Sequence, residues 1–273
     1  MKAQYENQIM SSLLLFVDHQ VLKYGEAYFP VNRGRFYPIK TTHGTYYSYS
    51  SPFKQFVSDE SISGAKVVTK VYVNGAETSI GSNSLIGINH YQGQVYFSEN
   101  KDSSVITADY YAKDFNIYIA KDSEQKLLFN TKKSLNPLQQ TIGLDPDSEP
   151  CPAIFIKNMG GSPNDFALGG LQNHPLHARL IVLSDSVFKL DAVCSIFKNT
   201  KLKTVPIIGK TPFNSLGTYL GQGFNYSGLA TGEGPLIWNV RVSKPSTMGE
   251  LEQLGLFPAF IDLDLQTIKS TSL

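Results

Sequence analysis

Residues 65–120 read AKVVTKVYVNGAETSIGSNSLIGINHYQGQVYFSENKDSSVITADYYAKDFNIYIA, and this stretch decides the fold class. Lys66 to Val73 alternates apolar with polar residues and stops at Asn74-Gly75, a dipeptide that accepts the positive φ values of a tight hairpin turn. Leu85 to Tyr91 and Gln94 to Phe97 flank Gln92-Gly93 and predict a second hairpin. Val105 to Tyr111 and Phe115 to Ala120 flank Ala112-Lys113-Asp114 and predict a third. Short strands at close spacing, with turn chemistry between them, favour a β-sandwich or small barrel over βαβ units.

Upstream, Met10, Leu13, Leu14, Val17, Val21 and Tyr24 recur at helical intervals, so Tyr5 to Tyr24 predicts a helix with Gly25 as its left-handed cap. Ile9, Leu15, Phe16 and Leu22 form a second apolar set on the other flank. Such a helix lies deep in its own core or packs against another subunit. From Phe29 to Phe56, Pro and Gly punctuate dense aromatics and no helical period survives. Downstream, Asn130 to Pro150 carries three prolines and reads as a linker or crossover. Beyond it, Ala153 to Lys157, Ala178 to Leu183, Val205 to Ile208 and Leu236 to Ser243 predict strands. Ser184 and Asp185 offer N-caps to a helix with Val187, Leu190, Val193, Cys194 and Phe197 inward. Ser246 would cap a short helix closed by Gly255, and Ile261, Leu263 and Leu265 alternate as a terminal strand with one wet face. The pattern predicts a β-rich α+β chain: an N-terminal helix and β-sandwich-like domain over 1–130, a linker over 131–150, and an α+β domain over 151–273.

Composition narrows the function classes. The 273 residues are 41% hydrophobic but only 17% charged, with 15 Tyr and 16 Phe, which excludes disorder. Lys plus Arg number 24 against 23 Asp plus Glu, and neither half holds an excess, so electrostatic capture of nucleic acid is not implied. The longest apolar run is Leu13 to Val17, far short of the ~20 residues that span a bilayer. Glu6 before that run, Asp18 and His19 after it, and the lack of a small-residue cleavage site argue against a signal peptide. Two cysteines, Cys151 and Cys194, read as small buried hydrophobes in a reducing compartment.

Motifs for chemistry are thin. Gly209-Lys210-Thr211 has Thr204 where a phosphate loop needs its first glycine, and Gly221-x-Gly223 lacks a third glycine, so both read as turns. His174 and His177 flank Pro175 and read as loop histidines. Asp145, Asp147 and Glu149 alternate in a loop that could donate oxygens to Ca²⁺ but lacks the EF-hand glycine and glutamate. Asp262 and Asp264 share a strand face, which exposed alternation explains without glycosidic chemistry. No serine lies in G-x-S-x-G, and neither cysteine has a base beside it. Asn225-Tyr226-Ser227 matches a glycosylation sequon. Lys198, Lys201, Lys203 and Lys210 form the one basic concentration, the solvated end of a helix or a surface facing DNA. Tyr46, Tyr47 and Tyr49 offer a sugar-stacking or protein-binding surface, against half-buried strand positions as the plain reading.

Read in order, VLKYGEAY (21–28), SSPFKQFVSDESISGA (50–65), VYVNGAE (71–77), INHYQGQVYF (88–97) and ITADYYAKDFNIYIA (106–120) resemble virion structural proteins of tailed bacteriophages. NDFALGGLQNHPLHARLIVLSDSVFKLDAVCSIFKNT (164–200) and VPIIGKTPFN (205–214) extend the resemblance to the second half. It implies a neck, or head-to-tail connector, subunit in a virion assembled in the host cytoplasm. The implied partners are ring copies of the same chain, the portal, adjacent neck and tail proteins, and DNA passing through a channel. Such a role brings no catalytic residue, cofactor or metal. The surplus apolar helix and the tyrosine cluster make Leu13, Phe16, Val17, Tyr46, Tyr47 and Tyr49 the candidate interface residues. The alternatives are a tail or baseplate component and a carbohydrate-binding or adhesin-type β module using the three tyrosines.

Overall fold

The computed structural model describes residues 5–39, 46–129, 148–162, 164–167, 171–209, 211–245 and 255–270. Helix α1 (Tyr5–Gly25) precedes eight strands: β1 (Tyr28–Ile39), β2 (Tyr47–Ser50), β3 (Lys70–Val73), β4 (Ala76–Ser79), β5 (Leu85–Asn89), β6 (Gln94–Phe97), β7 (Ile106–Lys113) and β8 (Asn116–Ile119). There follow α2 (Glu124–Phe129), β9 (Ala153–Gly160), β10 (Asn164–Ala167), β11 (Leu171–Ser184), α3 (Val187–Lys198), α4 (Tyr226–Leu229), β12 (Leu236–Ser243) and β13 (Phe257–Ser270). The fold is β-rich α+β, with an N-terminal helix, two mainly antiparallel sheets and few further helices.

The first two hairpins form as the turn chemistry dictates. Asn74 and Gly75 take φ of 51° and 86°, joining β3 to β4, although the strand begins at Lys70 rather than Lys66. Gly93, at φ 63°, turns β5 into β6. These strands belong to a seven-stranded sheet of order β4-β3-β7-β1-β2-β6-β5. Its spine is β1, which pairs with β7 over Tyr28–Phe36 and with β2 over Tyr37–Ile39. A bulge at Val31/Gly34 bends it, and a Cβ at Gly34 would stand 2.6 Å from the Tyr110 ring, so only glycine fits there. The sheet wraps a sandwich-like core of Phe36, Tyr49, Phe56, Val95, Phe97, Ile106 and Tyr110.

The third predicted hairpin does not form. No residue of Ala112-Lys113-Asp114 takes a positive φ, and β7 pairs instead with β1 and β3. Beyond Asp114 the chain crosses to the second sheet, where β8 runs parallel to β9. That sheet has the order β12-β13-β11-β9-β8, with β10 added to β11. Its central strands are buried on both faces. Ile154, Ile156, Leu180, Val182, Ile261 and Leu263 face α1 and α3, while Phe155, Ile181 and Leu183 face α2.

Several local expectations shift. Glu26, at φ 46°, takes the left-handed position after α1, and Gly25 ends the helix itself. Ser186 is the N-cap residue of α3, and Val187 is exposed in its first turn while Leu190, Val193, Cys194 and Phe197 are buried. Val205 to Ile208 forms no strand; it lies over α1, where the Ile208 amide donates to Ser12 Oγ at 2.9 Å. Residues 131–147 of the expected linker, 246–254 of the expected last helix, and Lys210 lie outside the described residues.

The apolar surplus of α1 is absorbed within the chain. Every side chain from Ile9 to Leu22 is buried, with Leu13, Phe16 and Val17 in the core shared with α3 and the second sheet. These three are therefore not a free face of the isolated chain. Leu13→Ala should lower the unfolding free energy by about 2–5 kcal/mol, equally at all protein concentrations, in urea titrations. A loss that grows on dilution would instead place Leu13 between subunits.

Candidate functional site

Where the two sheets meet, α1 presents three successive polar residues, Asp18, His19 and Gln20, all buried. Successive helical positions point about 100° apart, so each finds a different partner. Asp18 Oδ1 lies 2.6 Å from Nζ of Lys113, at the end of β7. His19 Nδ1 lies 2.7 Å from Asp59 Oδ2, and its ring stacks on Tyr226 with centroids 4.3 Å apart. Gln20 Oε1 accepts from Lys203 Nζ at 3.2 Å. Asp59 Oδ1 also accepts from the Ser61 amide (2.9 Å), the Ser61 hydroxyl (2.7 Å) and the Tyr226 amide (3.0 Å).

The two carboxylates respond oppositely to burial. For Asp18, desolvation outweighs the attraction of Lys113 and raises its pKa. For Asp59, desolvation also pushes upward, but the bonds from His19, Ser61 and Tyr226 together pull it below the ordinary value. His90 is a further buried group at this junction. Its ring nitrogens face the carbonyls of Gly221 (2.9 Å) and Val68 (2.8 Å), yet desolvation prevails over both and lowers its pKa.

Beside this seam lies a cleft of about 400 Å³, between the N-terminal half of α1, the β5–β6 turn, β8 and the loop 216–219. Tyr91 stands between two other tyrosines, edge-on to Tyr118 (6.2 Å) and to Tyr219 (5.4 Å). Asn89 Oδ1 fixes the turn by accepting from the amides of Tyr91 (3.1 Å) and Gln92 (3.0 Å). Tyr219 is anchored by donating to the Gln222 carbonyl at 2.7 Å. Tyr118 Oη and Gln92 Oε1 are buried without a hydrogen-bond partner.

The sequence candidates are dispersed. Tyr46 and Tyr47 are exposed, but Tyr49 is buried, donating to Asp102 Oδ1 (3.0 Å) and accepting from the Lys101 amide (2.6 Å). Burial is the main cause that pushes its phenol up to about 12. The three do not form one surface. Asp262 and Asp264 hold cross-strand pairs, Asp262 with Arg179 at 2.6 Å and Asp264 with His177 at 2.7 Å. His174 and His177 lie in strand β11 rather than a loop. Gly221, at φ 75°, packs so closely that a Cβ would stand 2.0 Å from Asn89 Oδ1, which accounts for it without a phosphate. Asn225 N-caps α4, accepting from the Gly228 amide. Cys151 and Cys194 are buried and form no disulfide. Asp145 and Asp147 lie outside the described residues.

Among the described residues, no group of three or more His, Cys, Asp or Glu could hold a metal ion, and no helix is long and apolar enough to cross a membrane. Comparison with known proteins returns no match among family models, curated proteins or solved structures.

The seam dictates a pH dependence. A histidine with a lowered folded pKa binds its proton less readily than the unfolded chain does. His90 therefore adds stability above its ordinary value of 6.5 that is lost as pH falls through the folded value. Asp59 has the same sign, in the acid range below its ordinary 3.8, and Asp18 the opposite one. The unfolding free energy from urea titrations should fall between pH 7 and pH 5, by at most about 1.4 kcal/mol per pH unit from this group. His90→Gln should flatten that window, and an unchanged slope would remove His90 as its source.

Proposed function

We propose that this chain is a structural virion subunit of a tailed bacteriophage, present as a ring of copies in the neck between portal and tail. The observation that carries the reading is the ordered likeness of its sequence to such proteins, from VLKYGEAY at 21–28 to VPIIGKTPFN at 205–214. Two physical features support it. From α1, which packs on the second sheet, the buried Asp18–Lys113 contact reaches the first sheet and the His19–Asp59 contact reaches the segment after β2, which suits a subunit that transmits force through its body. Large apolar side chains also remain uncovered. Phe188 in the first turn of α3 is 84% exposed, and Trp238 on the edge strand β12 is 53% exposed. Exposed aromatics of this size are what subunit contacts cover. The near-equal totals of 24 basic and 23 acidic residues suit a part that DNA passes without being held.

Native mass measurement of the full chain, alone and with portal protein, tests the proposal. The expected outcome is a closed oligomer of one copy number, which Phe188→Glu together with Trp238→Glu returns to monomer while the circular dichroism spectrum is unchanged. A chain that stays monomeric under every condition, and is missing from purified particles, ends the proposal.

A further inference from the structure

We infer that copies of this chain meet head to tail, the exposed Phe188 corner of one seated on the lysine-rimmed apolar patch around Trp238 of the next. This rests on the ring reading above and names the two surfaces that would build the ring. They lie at opposite ends of α3, about 15 Å apart for ten residues of helix. At its start, Phe188 and Val187 project into solvent, although Leu190, Val193, Cys194 and Phe197 of the same helix are buried. Beyond its end, Leu202 takes a left-handed conformation (φ 66°) that is disfavoured for a leucine. The Leu202 amide donates to the Ile237 carbonyl at 2.8 Å, one residue before Trp238. Tyr24 joins this end through Lys203, whose Nζ lies 4.8 Å from the ring centre. Tyr24, Leu202 and Trp238 are each more than half exposed.

Charge decides which surface meets which. Residues 20–26, 198–204 and 235–239, which form the Trp238 surface, hold four lysines, Lys23, Lys198, Lys201 and Lys203, against one carboxylate, Glu26. Lys23 and Lys203 converge on the Tyr24 ring, at 5.6 and 4.8 Å, and Lys203 donates to the neutral Gln20 side chain rather than to a carboxylate. A twofold contact would set this surface against itself and bring lysines onto lysines, which is unfavourable. The Phe188 surface has the opposite bias. Asp114, Asp185 and Asp191 stand about it with Lys189 and Lys244 as their partners, three carboxylates to two ammonium groups. It therefore complements the lysines of a second copy, with apolar side chains at the middle of the contact and charges at its edge. Rim charges of this kind select the partner and the register, while burial of Phe188 against Leu202 and Trp238 holds it. A contact between two different surfaces repeats from copy to copy, and it closes into a ring when the rotation between copies divides a full turn.

The test places photo-reactive benzoylphenylalanine at position 188 of the full chain. Isotope-labelled and unlabelled copies are mixed, so that links between copies are told from links within one, then irradiated and mapped by mass spectrometry. The expected product joins position 188 to residues 198–204 or to position 238 of a neighbouring copy. Lys198→Glu with Lys201→Glu, both at exposed positions, should raise the concentration needed for assembly roughly tenfold and leave the circular dichroism spectrum unchanged. In an assembled sample, a link from position 188 to position 188, to any other part of the neighbour, or to no neighbour at all overturns the inference and leaves the ring reading standing. Assembly indifferent to both glutamates does the same. A chain that never assembles, alone or with portal protein, overturns both.

Discussion

Asp18, His19 and Gln20 lie on a helix with no solvent-facing side over its central turns, so all three must exchange water for protein partners. The apolar residues of α1 bring it against the second sheet and α3, but such contacts alone would tolerate rotation of the helix. The three polar side chains do not. Each reaches a different element: Lys113 at the end of the first sheet, Asp59 in the turn after β2, and Lys203 beyond α3. A buried ion pair is a weak source of net stability, because desolvation cancels much of the attraction, yet a charge left without its partner is costly. The seam accordingly acts on geometry, holding the rotation of α1 and the placement of both sheets around it.

This arrangement explains why the turn at Ala112-Lys113-Asp114 is not a hairpin. Lys113 is turned inward to meet Asp18, and the Asp114 amide donates to the Ala27 carbonyl at 2.8 Å, so the chain is directed across the seam into β8. Gln55 reinforces the crossing. Its side-chain amide exchanges two hydrogen bonds of 2.9 Å with the backbone of Ile117, in the manner of a strand partner. The wide cleft on the other side of α1 follows from the same crossing, since β8 brings Tyr118 up to the turn that carries Tyr91.

Features whose cause is local were legible in the sequence. The Asn74-Gly75 and Gln92-Gly93 turns, the alternation of Ile261, Leu263 and Leu265, and the helix over Tyr5 to Tyr24 each rest on neighbouring residues. Pairings decided by distant partners were not. Strand β1 contains Pro30, Gly34 and Pro38, which read as punctuation, and it becomes a strand through β7 and β2. Val205 to Ile208 is apolar enough for a strand, but what it covers is a helix. Of the site, the concentration of tyrosines was visible and their assembly was not. Tyr46, Tyr47 and Tyr49 are neighbours in sequence, whereas Tyr91, Tyr118 and Tyr219 are neighbours in space. The one local sign of the seam was three polar residues in succession after the apolar run ending at Val17.

The seam and the cleft differ in how their polar groups are satisfied. Asp59 lies at a point where His19, Ser61 and Tyr226 converge, and each contact is internal to the chain, so the seam is complete as it stands. The cleft is built with comparable care on its outer parts: Asn89 fixes the turn and Gln222 holds Tyr219. Two residues that line it nevertheless carry buried side-chain oxygens without a partner, Tyr118 Oη and Gln92 Oε1. Unpaired buried polar atoms cost stability, and a core built only for packing would have replaced Tyr118 by Phe at no loss of apolar contact. The polar groups of the seam therefore stabilise one another, whereas the Tyr118 hydroxyl and the Gln92 side-chain oxygen are carried at a cost to stability.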